Sequence, residues 1–181
     1  EWYRLDFDDQ LLMQEVADLV AVVLGPGAVQ TVTYQQLVGE LFDQSHVKRS
    51  DLDLRFAEAC DGLKPGRFFV TDYPADQAAL ARLRPDSQTV AARFELVIDG
   101  VEIANGYWEL QDPVEHERRF AADRALRRAR GLVDVEPDRS FLDALQKGLP
   151  NCAGVALGVD RLLMLAQHAD RLDAVMQGPE F

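Results

Sequence analysis

A chain of 181 residues with 48% hydrophobic residues is long enough to bury a real core in one domain, or in one domain with a small insertion. Its 19 Lys+Arg against 31 Asp+Glu give a formal net charge of −12. That balance argues against a general electrostatic grip on nucleic acid, though not against an anionic ligand in a locally basic pocket. No apolar run is long enough to span a bilayer, no basic-then-apolar leader is expected, and Cys60 and Cys152 lack metal-ligand spacing, which fits a reducing, cytoplasmic setting.

In chain order, residues 1–5 read as the end of a strand, with Glu1 and Tyr3 on one face and Trp2 on the other; an opening this apolar and without Met reads as the interior of a longer chain. Asp6, Asp8 and Asp9 supply helix-start chemistry, and Leu11, Leu12, Val16, Leu19, Val20 and Val23 then recur at helical spacing, predicting an amphipathic helix over 9–24 that stops at Gly25-Pro26-Gly27. A short strand follows at 29–32. Thr33, with Gln36 at the capping-box position, starts a helix expected to run over 34–43, and a further helix is expected at 51–61.

Phe68, Phe69 and Val70 predict a buried strand closed by Tyr73-Pro74; 76–83 reads as a short helical turn and 84–86 as a loop. Pro113 opens a polar helix at 113–130, with Glu115 spaced to pair with Arg118 and Arg119, and Asp123 with Arg127. This charge run reads as a solvated helix face. After a loop at 132–137, Ser140 is expected to cap a helix at 141–147.

The stretch 94–110 (FELVIDGVEIANGYWEL) carries the chemistry. Asp99-Gly100 is a hairpin signal between two apolar runs, predicting strands at about 93–98 and 101–110. Alternation puts Asn105, Tyr107 and Glu109 on one face and Ala104, Gly106 and Trp108 on the other. Glu95, Glu102 and Glu109 recur at intervals of seven. A hairpin can bring Glu95 and Glu102 to one site, where paired carboxylates suit a Mg²⁺ that also carries phosphates. The competing reading is a strand with a charged solvent face. Near the C-terminus, CAGVALGVDR (152–161) predicts a strand at 153–157 running into a helix at 158–168. Its small residues bare the backbone at the junction, and Arg161 in the first helical turn can reach a phosphate there; close packing alone is the alternative.

Together these segments resemble the catalytic domain of class II aminoacyl-tRNA synthetases, in the lysine branch. GVALGVDR (154–161) is similar to that class's third signature motif, the hairpin to the branch's strand pair, and Glu1-Trp2-Tyr3 to the tail of the second motif. Within the branch, Ala104 and Ala156, where lysyl-tRNA synthetases usually carry Gly, and YPADQAALA (73–81) are more similar to the paralogues that lysylate elongation factor P. The resemblance implies an α+β fold, a class II antiparallel sheet flanked by helices and incomplete on its N-terminal side, with a helical insertion at about 33–63.

It also implies ATP-dependent activation of lysine or (R)-β-lysine as the adenylate, and transfer to a lysine of elongation factor P. Residue by residue, it implies Glu95 and Glu102 on Mg²⁺ and ATP, Arg161 on the triphosphate or adenine, and Gly158 opening room for the nucleotide. Tyr3 and Glu109 would take the side-chain ammonium, Glu1 the other amino group and Asn105 the carboxylate. Tyr107 would wall the pocket, and Ala156 would take space from its floor. No general base is required, so His46, His116 and His168 are given no catalytic part. The family is homodimeric, but its dimer motif and the first strand of its second motif are not found here, so this chain alone is expected to be inactive. The missing anticodon-binding domain argues against tRNA binding. A piece of a true lysyl-tRNA synthetase and a non-catalytic binding module are the alternative readings.

Overall fold

A computed structural model describes residues 1–39, 42 and 49–176. The strands are β1 (Trp2–Leu5), β2 (Val29–Thr33), β3 (Arg67–Pro74), β4 (Leu83–Arg84), β5 (Ser87–Ile98), β6 (Val101–Trp108) and β7 (Cys152–Leu157). The helices are α1 (Asp9–Leu24), α2 (Tyr34–Val38), α3 (Arg49–Asp61), α4 (Pro113–Ala129), α5 (Arg139–Gln146) and α6 (Val159–Ala166). One sheet runs β1-β7-β6-β5-β3-β2, with β4 paired to β5. Only β2–β3 is parallel; the other pairings are antiparallel. The chain therefore has the expected α+β arrangement, a mainly antiparallel sheet flanked by helices.

One face of the sheet presents Phe69, Phe94, Leu96, Ile98, Ala153 and Val155 to Leu12, Val16 and Val20 of α1 and Leu162 of α6. The stripe Leu12–Val16–Val20 recurs every four residues, so α1 lays one apolar side along the strands. Each full burial of this kind is worth about 1.5–3 kcal/mol. Arginines hold both ends of α1. Arg84 meets the buried Asp9 at 3.0 and 2.7 Å, and Arg67 donates to the carbonyls of Leu24 and Gly25 at 3.2 and 2.9 Å. On the opposite face, Val70, Tyr73 and Val97 pack with Tyr34 and Val38 of α2 and Phe56 of α3. The rest of that face carries the polar side chains described below.

The hairpin β5–β6 turns at Asp99-Gly100 with φ of 49° and 77°, the two positive angles a tight hairpin turn demands. Gly106 is required for a different reason: a Cβ there would stand 2.3 Å from the Phe94 ring. Between Leu96↔Ala104 and Val97↔Glu102 the register slips by one, so Ile103 is an extra residue on β6. Ile103 and Ala104 both enter the α1–α6 core. Glu102 is thereby turned to the polar face, the same side as Asn105, although plain alternation from Asn105 sends it into the core.

Several element expectations are corrected. The helix expected over 34–43 ends at Val38, although its capping box with Thr33 and Gln36 forms as read; residues 40, 41 and 43–48, His46 among them, lie outside the described residues. The helical turn expected over 76–83 is a single 3₁₀ turn at Ala75–Gln77, and the loop 84–86 is the tip of a small hairpin from β4 into a β5 that starts at Ser87. The α5 cap is Asp138, which accepts from the Ser140 N–H, rather than Ser140 itself. On α4 Glu115 binds Arg118 and Arg119 as spaced, while Arg127 donates to the Val133 carbonyl instead of meeting Asp123.

Candidate active site

Three strands build one small cavity. β1 and the residue before it bring Tyr3 and Glu1, β6 and its extension bring Asn105, Tyr107 and Glu109, and β7 brings Gly154 and Ala156. Register fixes the grouping: Tyr3 pairs with Gly154 and Asn105 with Ala156, so the polar side chains rise around a floor of small residues. The cavity holds about 110 Å³. A Cβ at Gly154 would stand 2.5 Å from both Oε1 of Glu109 and the Tyr3 ring. The six residues assigned to an amino-acid substrate from sequence therefore do line one space.

Glu109 is 6% exposed. Burial, and then the nearby Glu1 carboxylate, push its pKa up to about 7, while Arg82 pulls the other way. The Tyr3 hydroxyl donates to Glu1 at 3.3 Å and is pushed to about 12 by burial and by the charges of Glu109 and Glu1. Two carboxylates converging on one small cavity repel each other. An ammonium ligand would relieve both.

Farther along the same face stand Glu95 and Glu102. Glu95 is buried, its pKa raised chiefly by burial, with Arg93 opposing and Glu102 adding to the rise. Glu102 is exposed, and Arg161 donates to its carbonyl at 2.8 Å and reaches its carboxylate at 3.4 Å. Gly158 has φ −77° and caps α6; a Cβ there would meet only the Arg161 side chain at 3.4 Å, so its smallness serves open space rather than backbone strain. No group of three His, Cys, Asp or Glu among the described residues forms a metal cage. Two carboxylates alone suit a cation that takes its remaining ligands from phosphate and water.

Residues 10–180 match the tRNA synthetases class II (D, K and N). The chain belongs to this family. It is 40% identical, over 99% of its length, to a protein of Vibrio parahaemolyticus named elongation factor P--(R)-beta-lysine ligase. Proteins of the same name from Vibrio cholerae and Salmonella gallinarum are each 38% identical, over 99% and 97% of the chain. The chain spans 62–64% of the length of these relatives.

The candidate site includes supports that sequence reasoning missed. Arg93 contacts Glu95, Asn105 and the Gln77 carbonyl and lies 4.3 Å over the Tyr73 ring. Arg82 donates to the Glu109 carbonyl at 2.9 Å and stacks on Trp108 at 4.2 Å. Both arginines sit between apolar strand residues in the sequence, and strand register brings them to the site. Among the described residues, no helix is long and apolar enough to cross a membrane. His116 is buried on α4 against Phe120 and Phe141, and its Nε2 bonds the Leu110 carbonyl, in keeping with a packing role.

Proposed function

We propose that this chain is the amino-acid-activating part of an ATP-dependent ligase that forms a lysyl-type adenylate and passes the acyl group to a lysine of elongation factor P. The observation that carries this reading is the convergence of Glu1, Tyr3, Asn105, Tyr107, Glu109 and Ala156 on one cavity of about 110 Å³. Glu109 and Tyr3 would receive the side-chain ammonium, Glu1 the other amino group and Asn105 the carboxylate. The names of the relatives support (R)-β-lysine and elongation factor P, and the net charge of −12 supports a protein acceptor over tRNA.

The residues present fit ATP with Mg²⁺. Glu95 and Glu102 would hold the ion beside the buried, unpartnered hydroxyl of Tyr73, and Arg161 and Gly158 would border the nucleotide. The ion would neutralise phosphate charge. An oxygen of the amino-acid carboxylate attacks the α-phosphorus of ATP, an O–P bond forms, and pyrophosphate leaves with the electrons of the broken bond. The nucleophile is already ionised, so the protein's part is to hold it in line and balance charge. The acceptor amine then displaces AMP from the acyl carbon and loses a proton.

ATP–pyrophosphate exchange with L-α-lysine and with (R)-β-lysine tests this, on the chain and on a version extended to the full length of its relatives. Exchange in the extended version, strongest with (R)-β-lysine, is the expected result. Preference for α-lysine would move the reading to a lysyl-tRNA synthetase, and no exchange in either version would favour a non-catalytic binding module.

A further inference from the structure

Arg93 stands opposite Tyr107 in the β5–β6 ladder, and Glu95 stands opposite Asn105. These four side chains form a square on the polar face of the sheet, with Arg93 on the diagonal from Asn105. All three guanidinium nitrogens of Arg93 are engaged. Nη2 donates to Oε1 of Glu95 at 2.6 Å, Nη1 to the Gln77 carbonyl at 2.8 Å, and Nε reaches Oδ1 of Asn105 at 3.4 Å. The Tyr73 ring lies 4.3 Å beneath, so the guanidinium is held both in its plane and on its face.

This arrangement decides which atoms remain for ligands. An Asn amide has one accepting and one donating end. With its nitrogen toward a guanidinium it would set donor against donor, so the oxygen faces Arg93 and the NH₂ is left for the cavity side, where Tyr107 also stands. A carboxylate ligand needs such a donor. Glu95 likewise gives Oε1 to Arg93, and its other oxygen is not engaged by that guanidinium. A divalent cation needs such an oxygen. The orientation of both groups thus has one source.

We propose that Arg93 is a positioning residue that couples the two halves of the site, presenting the Asn105 NH₂ to the carboxylate of the amino acid and one Glu95 oxygen to the metal. This rests on the function proposed above. Lysine cannot replace it, because an ammonium has no planar fork with which to hold an amide, a carboxylate and a carbonyl at once.

The test is a double-mutant cycle in the full-length protein, reading the Kd for L-lysine by saturation-transfer NMR without ATP. Arg93→Gln is expected to weaken binding roughly tenfold in the wild-type background and less than about twofold in an Asn105→Ala background, because the group through which Arg93 acts is then gone. Arg93→Lys, which keeps the charge and is less disruptive to folding, is expected to follow the same pattern. Equal losses in both backgrounds would overturn the proposal, since a general structural role does not depend on Asn105. A wild-type protein that binds no lysine would instead overturn the functional reading, and this inference with it.

Discussion

Gly154 lies directly beneath Glu109: a Cβ on the glycine would stand 2.5 Å from Oε1 of the carboxylate. The φ of Gly154 is not in the left-handed region, so alanine is excluded there by space and not by backbone. The first prediction follows from this. Gly154→Ala fills the floor of the cavity, displaces Glu109 and Tyr3, and lowers lysine affinity by tenfold or more, with overpacking costing about 1–3 kcal/mol of stability. Calorimetric titration alongside urea unfolding checks both numbers, and unchanged affinity would remove Glu109 from the binding site.

Glu109 titrates in an accessible range. Its pKa in the folded protein is raised from 4.5 to about 7, so the proton is held more tightly in the folded state. The stability this contributes is fully present below pH 4.5 and is lost as the pH rises through about 7. Glu109→Gln, neutral throughout, therefore gains stability on the wild type between pH 5 and pH 8 in paired thermal melts. Ligand binding runs the other way, because an ammonium pairs with the ionised carboxylate. Lysine affinity should rise toward pH 7 and level off above it, and a flat profile would contradict this electrostatic picture.

Much of the site was legible from sequence because its elements are local. A two-residue turn, a capping box and a strand–helix junction are each written within a few neighbouring residues. Glu1, Tyr3, Asn105, Tyr107, Glu109 and Ala156 were singled out through family motifs, and strand register then brings them together. What escaped depends on distant partners. Ser87 to Ala92 alternates weakly and reads as strand only because it lies against β3 and β4. Apart from its bond to Glu95, two positions on, Arg93 takes its partners, like Arg82, from residues 12 to 69 positions away. The extra residue at Ile103 has no signature in composition; Ile and Ala are both ordinary strand-core residues, and only the register shows that both face inward.

Arg161 is exposed and holds little besides Glu102. Arg161→Ala should change stability by no more than about 0.5 kcal/mol, yet weaken ATP binding by roughly tenfold, as expected for loss of a forked phosphate donor. Fluorescent nucleotide titration in the full-length protein measures this. An ATP affinity that does not move would assign the arginine to holding Glu102 alone.

Arg84 is the counterpart on the structural side. Asp9 is 1% exposed and meets two of its nitrogens, while Asp72 meets the third at 2.7 Å. Arg84→Met leaves a buried carboxylate unpaired and should cost about 3–5 kcal/mol, in part restored by Asp9→Asn in the same chain. Urea unfolding of the single and double variants decides it; full additivity would show that the pair is not coupled.

Ala156 forms part of the cavity floor opposite Asn105. Ala156→Gly enlarges the space where a substrate backbone would lie and should shift preference between (R)-β-lysine and α-lysine by roughly tenfold in pyrophosphate exchange, about what a methylene-sized change of fit provides. An unchanged ratio would place specificity elsewhere in the pocket.

Ile103 acts as punctuation in the chain. It resets the reading phase between Glu102 and the Asn105–Glu109 group, so that carboxylates seven positions apart land on one side of a ribbon whose step is two. A strand shortened by removing Ile103 alone would run straight and still show Glu102 to the ligand side. The gain or loss of one codon between Asn105 and Trp108 would instead pass one half of the ligand-bearing set through the sheet, leaving every other functional residue intact and nothing for it to act with.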